Sequence, residues 1–393
     1  MARPTNVVEL LRDLVAIPSV NPQGNPGTDR TGEEAVAHYV GDFLEDLGAE
    51  VTYQQVHKGR PNVLGVFPPE KEEAEHIAFA PHTDTVSVAG MTISPFDPEI
   101  RDGKVWGRGT SDTKGPMAAS LWALKEWAES TARQNSRVRW SYAALMGEEA
   151  GNEGAYALAR TDFKADLVVV QEPTSLEIVH AHKGVMWLSI TTSGRACHGS
   201  TPERGENAIY KIRRVLQSLE EYVIPALSQR KHDVLGSTTL NVGTISGGSK
   251  VNIVPDQCVL ECDIRLTPAT PRDAALELIS REVQRVMPDA RVTVLAECMA
   301  LDTPRGLPIL GPLGDVANGF NVAPWFCDAA VFAHAGSPSV AIGPGSIAQA
   351  HTRDEFIRIS DLEDGLDLFT RFIAKQEGSA AARASAMKAK ALA

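Results

Sequence analysis

MWLSITT (186–192), NAIYKIRRVLQSLEEY (207–222), TLNVGTI (239–245), CVLECDIRL (258–266), AALELISREVQRV (274–286) and RVTVL (291–295) follow one another within a single stretch of the chain. The third, fourth and sixth are short and rich in branched residues, which marks strands, as does the first. In CVLECDIRL the residues two apart, Cys258, Leu260, Cys262 and Ile264, share one face. The second and fifth segments carry a helical pattern. The order βαββαβ is the split ferredoxin-like arrangement, self-contained within roughly 110 residues.

On either side the character changes. Before this stretch, a helix carries Val7, Val8, Leu10, Leu11, Leu14 and Val15 and stops at Pro18. A second helix is predicted from a capping box, Thr31 with Glu34, and ends at Gly48. Short apolar strands follow at 62–67, 77–80, 138–146 and 167–171, with a helix at 116–130. After the stretch come a strand at 339–342, a Gly343-Pro344-Gly345 loop and a helix at 361–375. Alternating strands and helices indicate an α/β layer around a buried sheet. The expectation is one discontinuous domain, residues 1–183 and 297–393, interrupted by a smaller domain at 184–296. The tail from Gly378, rich in Ala, Lys and Ser, is expected to be frayed or disordered.

A length of 393 residues exceeds the size, about 250–300 residues, at which a single core stops growing, so two domains are expected. With 38 basic and 50 acidic residues the formal net charge is -12. Such a chain has no general field for nucleic acid or an anionic membrane, and an anionic substrate has to be held by a few placed cations. Charged residues between Glu9 and Asp13 interrupt any signal core, and no apolar window of about 18 residues occurs to span a bilayer. The five cysteines, Cys197, Cys258, Cys262, Cys298 and Cys327, form no C-x-x-C pair. They read as free thiols, which fits a cytoplasmic enzyme.

Five segments place metal-ligand side chains just after strands, the edge at which open α/β sheets bind ligands. His82 and Asp84 follow the strand at 77–80; a metal-bound imidazole commonly gives its other ring proton to such a carboxylate. Asp112 follows a glycine-rich turn, Glu148 and Glu149 follow the strand at 138–146, Glu172 follows that at 167–171, and His351 lies beyond the Gly-Pro-Gly loop. Singly, each has a plain structural reading: a surface histidine, a helix cap, a solvated acidic turn. Together they supply the imidazole and carboxylate mixture suited to a pair of divalent ions. Adjacent Glu148 and Glu149 point apart, which suits one to hold metal and the other to activate water. No G-x-S-x-G occurs, and Cys197 beside His198 does not make a catalytic pair, so a serine or cysteine hydrolase is disfavoured.

The segments PHTDTV (81–86), GRGTSDTKG (107–115), GEEAG (147–151), QEPT (171–174) and GPGSIAQAH (343–351) closely resemble the metal-binding motifs of the M20 metallopeptidase and amidohydrolase family, in order and over nearly the whole chain. The resemblance implies a di-zinc aminopeptidase-like catalytic domain with an inserted ferredoxin-like dimerisation (lid) domain, and a homodimer formed through the insert. It implies two divalent ions, zinc by preference and cobalt as an alternative. One would be held by His82, Asp112 and Glu172, the other by Asp112, Glu149 and His351. Asp84 would orient His82. Glu148 would take a proton from the attacking water and pass it to the leaving amine. Thr113 departs from the methionine frequent in the family. In the insert, GRACHGSTP (194–202) resembles the segment whose histidine, here His198, steadies the oxyanion in a neighbouring subunit. Asn252 and Arg265 match elements that contact substrate; for Arg265 a surface salt bridge to Asp263 is the alternative. The Gly343–His351 stretch with Arg353–Phe356 resembles most the branch containing acetylornithine deacetylase and succinyl-diaminopimelate desuccinylase. It implies deacetylation of N2-acetylornithine or a similar N-acetyl amino acid in amino-acid biosynthesis, with desuccinylation or dipeptide and carboxypeptidase cleavage as alternatives.

Overall fold

Strands that are apolar on both faces are stable only when both are covered, and the chain builds such a sheet in the first of two units. The computed structural model describes residues 3–391. One unit takes the chain up to His180, Thr303–Asn321 and Cys327 onward; the other takes Ala181–Asp302 and Val322–Phe326.

In the first unit Glu75–Phe79 runs parallel to Val138–Ala144 on one side and to Leu167–Val170 on the other, and Ser339–Ala341 extends the parallel set next to Leu167–Val170. Antiparallel Arg60–Phe67, then Glu50–His57, close the edge beyond Val138–Ala144. The register sets Phe79 opposite Tyr142 and Val169, and Ala341 opposite Val170. The four parallel strands therefore finish within a few residues of one another, on one rim.

Helices cover the sheet because their apolar stripes have nowhere else to go. Val7–Ala16 is capped by Asn6, whose side chain accepts from the Glu9 amide at 2.9 Å, and buries Val7, Leu10, Leu11, Leu14 and Val15. Lys114–Glu129 buries most of its length. Phe369 and Phe372, from the helix Ile359–Ala391, meet Phe79 edge-on at 5.5 and 6.1 Å, while Phe79 stacks on Trp140 at 5.8 Å. Burying side chains of this kind stabilises by about 1.5–3 kcal/mol each, so this apolar layer anchors the rim.

Two expectations are corrected. Thr31 caps nothing: it pairs with Val20 in an isolated bridge, and Glu33 precedes the helix Glu34–Asp46, held by Arg60 at 2.6 and 2.7 Å. The tail is not frayed: the last helix continues through Ala391. Glu377 accepts from Ser136 Oγ at 2.7 Å and Trp140 Nε1 at 2.9 Å, and Arg383 pairs with Glu75. Ala and Lys are strong helix formers, and polarity alone misjudged them. The last two residues of the tail, Leu392 and Ala393, lie outside the described residues. Gly48 does end its helix in the left-handed region, at φ 81°.

The second unit is a four-stranded antiparallel sheet in the order Thr239–Gly247, Gln257–Leu266, Gly184–Ser193, Arg291–Cys298. Ala208–Ser218 and Arg272–Val286 share its core of Leu188, Ile190, Ile212, Leu260, Ile264 and Ile279. Along Gln257–Leu266 every second residue from Cys258 is buried, and Arg265 points off that face. All five cysteines are free thiols; Cys197 alone is not buried. No described helix is long and apolar enough to cross a membrane.

Candidate metal centre

The rim of the parallel strands receives its side chains in an order set by the chain. Past Phe79, Thr83 N donates to Leu145 O at 2.7 Å and Leu145 N to Pro81 O at 2.9 Å, which carries the pairing out to His82. Past Ala144 the chain turns at Gly147, at φ 73° in the left-handed region that glycine enters without strain, into the short 3-10 turn Glu148–Ala150. Glu172 stands two residues after Val170, and His351 follows the last parallel strand.

Asp84 has a wider role than expected. His82 Nδ1 lies nearer the Asp84 backbone carbonyl, at 3.0 Å, than its carboxylate, at 3.5 Å. The carboxylate also accepts from Glu148 N at 3.0 Å, Glu149 N at 3.1 Å and Asn21 Nδ2 at 2.8 Å. One acid thus fixes the imidazole through its main chain and the Glu148–Glu149 turn through its side chain.

Asp112 is held from three directions. Fully buried Glu355 accepts from Ser111 N and Asp112 N through Oε1, at 2.8 and 3.0 Å, and from Arg108 Nη1 and Gly109 N through Oε2, at 2.7 and 3.0 Å. Thr113 Oγ1 donates to Gln171 O at 2.7 Å, tying this loop to the strand that ends in Glu172. Lys114 Nζ donates to Leu14 O and Ile17 O at 3.0 and 2.7 Å, the carbonyls where the first helix ends, and burial pulls its amine down to about 7.

The ligand atoms converge. One donor atom each of His82, Asp112 and Glu149 lie within 4.8 Å of one another. Asp112 Oδ1 is 3.0 Å from His82 Nε2, while Oδ2 is 3.4 Å from His351 Nε2, which also lies 3.1 Å from Glu149 Oε2. Asp112 therefore offers one oxygen to each histidine. Glu148 and Glu172 are near enough for their charges to act on His82.

The electrostatics are those of buried acids crowded around two imidazoles. Burial pushes Glu148 and Glu172 well above the usual carboxylate range and Glu149 up to about 7, with neighbouring carboxylates adding to each. Burial opposes the charged form of His82, yet Asp112 and Asp84 carry it well above an ordinary imidazole. Hydrogen bonds to Asp112 and Glu149 raise His351 to about 10. Burial opposes the charge of Asp112 as well, but the two imidazoles hold its carboxyl far below the ordinary range. Among the described residues, the buried atoms Glu149 Oε1 and Glu172 Oε1 accept no hydrogen bond. Stranded buried carboxylate oxygens are costly without a cation, and imidazole with carboxylate is a donor set for borderline divalent ions, so the residues fit a metal.

The structure brings together His82, Asp84, Asp112, Glu148, Glu149, Glu172 and His351. His198, Asn252 and Arg265 belong to the second unit. There Gly199 N donates to Asn252 O at 2.8 Å, so the His198 and Asn252 loops lie side by side, and His198 Nδ1 sits 2.7 Å from Ser200 Oγ. Arg265 Nε is 3.1 Å from Asp263 Oδ2, the salt bridge weighed as its alternative. Sequence reasoning missed Asn21, Asn152, Asp328 and Lys114, and it left Glu355 without a role. Asp328 stands before the apolar helix Ala329–His334, where an acid reads as a cap, and nothing in the sequence signals its surroundings.

The profile of the M20 peptidase dimerisation domain matches residues 180–291. Acetylornithine deacetylase of Proteus mirabilis is 31% identical over 384 residues, covering 93% of this chain and 95% of that protein. The enzyme of the same name from Vibrio vulnificus is 28% identical and covers 94% and 98%. An M20 family metallo-carboxypeptidase from Sulfolobus solfataricus superposes with a TM-score of 0.80 at 17% identity, over 95% of this chain and 99% of that one. A dinuclear metal-binding peptidase of the M20 family from Bacillus subtilis gives 0.68 at 14% identity, over 94% and 98%. At such identities the likeness to solved structures is one of fold.

Proposed function

Because this chain belongs to the M20 family of metallopeptidases and amidohydrolases, we propose that it hydrolyses the amide bond of a small N-acyl amino acid, with N2-acetylornithine as the leading substrate. The reading of the centre rests on Asp112, with one oxygen toward His82 and the other toward His351. The choice of substrate is supported by relatives named acetylornithine deacetylase that align over almost the whole chain.

The centre would hold two zinc ions, one on His82, Asp112 and Glu172 and one on Asp112, Glu149 and His351. When bound, such a pair supplies Lewis acidity toward water and the scissile carbonyl. The remaining work falls to side chains of the protein. Glu148 takes the proton of the attacking water and returns it to the amine as the C–N bond breaks. Burial raises its carboxyl, the direction that lets one group serve as base and then as acid near neutral pH. Asp84 keeps the Glu148–Glu149 turn in place throughout. His198, Asn252 and Arg265 would come from the inserted domain: His198 toward the oxyanion in a neighbouring subunit, Asn252 and Arg265 toward the substrate, where the planar Arg265 fork matches an α-carboxylate. The insert would close on the metals during turnover and join two chains into a homodimer, and the enzyme would work in the cytoplasm.

The test is amine release from N-acetylornithine, N-acetylcitrulline, N-succinyl-diaminopimelate and simple dipeptides. We expect the acetylated amino acids to lead, a strong chelator to stop turnover, and zinc or cobalt to restore it. Chelator-resistant turnover would sink the metal reading; a lead for the dipeptides would sink the substrate. A fully active monomer in sedimentation and kinetics would remove the dimer.

A further inference from the structure

Two residues that belong to none of the ligand motifs stand at the starts of two helices and cap neither of them. Asn152 precedes Glu153–Ala159 and Asp328 precedes Ala329–His334, and in both cases the side chain makes no hydrogen bond to the first turn. Both are buried. Their polar ends turn to each other instead: Asn152 Nδ2 donates to Asp328 Oδ1 at 2.9 Å and reaches Glu148 Oε1 at 3.4 Å. The amide nitrogen has two hydrogens, and the two carboxylates take one each.

This arrangement is poor as a packing device. Among the described residues, the buried atoms Asn152 Oδ1 and Asp328 Oδ2 have no hydrogen-bond partner. An apolar pair of the same shape would be at least as stable as a half-satisfied polar one. The contacts do achieve one thing, which is to fix which way the amide faces. Turned over, Asn152 would aim its carbonyl oxygen at two carboxylates. The bond to Asp328 Oδ1 at 2.9 Å favours the orientation in which the same nitrogen also faces Glu148 Oε1. The backbone supports it: Asn152 sits at φ 57°, a left-handed conformation that asparagine enters more readily than most residues, so the side chain leaves the turn in a set direction.

We propose that Asn152 and Asp328 are positioning residues for hydrolysis: Asn152 holds the Glu148 carboxylate by its Oε1, and Asp328 acts chiefly through Asn152, by locking its amide. The proposal rests on the reading of Glu148 as the group that carries the proton. An unheld glutamate would swing about its side-chain torsions, and its transfer would slow without loss of substrate or metal.

The test uses the zinc-loaded full chain with N-acetyl-L-ornithine, or whichever screened amide turns over fastest. N152G suits the left-handed backbone and removes only the side chain; D328N keeps the shape and removes the charge. We expect each to lower kcat by about 10–100-fold, part of what a proton-transfer group contributes, with KM and bound zinc unchanged. The double variant should be no slower than N152G. Should D328N not fold, D328S in the wild-type and N152G backgrounds makes the same comparison. If the double variant loses the two factors multiplied, Asp328 does not act through Asn152 and the proposal is wrong. A drop in kcat that merely follows lost zinc or lost folded protein would also overturn it. E148A separates the two readings. If E148A keeps wild-type turnover, the role of Glu148 fails and takes the proposal with it; if E148A is inactive while N152G and D328N match wild type, only the proposal fails.

Discussion

Replacing Glu355 by glutamine probes the loop that presents Asp112. The change keeps size and shape, so a naive expectation is a mild effect. The geometry says otherwise. Glu355 offers two oxygens and each accepts from two donors: Ser111 N and Asp112 N at Oε1, Arg108 Nη1 and Gly109 N at Oε2. Glutamine has one oxygen and one NH2, so in either orientation two donors face a donor. An unsatisfied buried donor costs about 1–3 kcal/mol. The Arg108 guanidinium, buried with Glu355 as its ion-pair partner, loses its counter-charge, and breaking such a pair typically costs about 3–5 kcal/mol. These terms overlap, and about 4 kcal/mol is a fair combined figure. For a unit of this size that lowers Tm by roughly 10 °C. Calorimetry on the metal-free protein is the assay, since it excludes stabilisation by bound ions. A titration with zinc should then show weakened binding, because the Asp112 amide has lost its anchor. If E355Q melts within about 2 °C of wild type and binds zinc equally well, the four bonds are not holding the loop.

The remaining predictions concern the centre and its substrate. E148A should lower kcat by about 10²–10⁴ while zinc stoichiometry, read by atomic absorption, stays the same; loss of zinc would recast Glu148 as a ligand. R265A should raise KM about tenfold for substrates with a free α-carboxylate and leave amidated analogues unaffected; equal effects on both would reduce Arg265 to its surface pairing with Asp263. Zinc uptake by the metal-free protein should release protons at neutral pH. The His351 value, raised to about 10 by Asp112 and Glu149, lies above the ordinary 6.5, so the metal-free site is protonated at pH 7 and a metal must displace that proton. Affinity should therefore climb as pH rises from 7 toward 10. The ion pair in the metal-free protein should fade over the same upper range, its stabilisation being complete only below about 6.5. Calorimetry in two buffers of different ionisation enthalpy counts the protons; a count of zero would refute this.

The sequence exposed whatever obeys a short-range rule. Strand periodicity located the parallel core and the alternating face of Gln257–Leu266. The position of His82, Glu149, Glu172 and His351 just after strands followed from where such sheets bind ligands. What escaped depends on partners distant along the chain. Glu355 meets Gly109 across 246 positions and Asp328 meets Asn152 across 176. No periodicity reports such meetings, and a lone acid reads as a cap or a surface charge. Asp84 does partner its neighbour His82, through its carbonyl at 3.0 Å and its carboxylate at 3.5 Å; what stayed hidden is that the carboxylate also serves the turn at Glu148, 64 positions on. The strand Glu50–His57 was missed because it is a mostly polar edge with no unbroken apolar run.

The order in which the sheet is assembled differs from the order in which the chain is made. Ser339–Ala341 sits inside the sheet, with Leu167–Val170 on one side and Val179 on the other, although it is synthesised after the whole of the inserted domain. A ribosome-bound chain can finish the insert, which has a core of its own, while the larger sheet still has a gap at its middle. His351 follows that late strand, so the candidate centre has all its side chains in place only when the gap closes. Assembly of the candidate centre is thus a late, long-range event in folding.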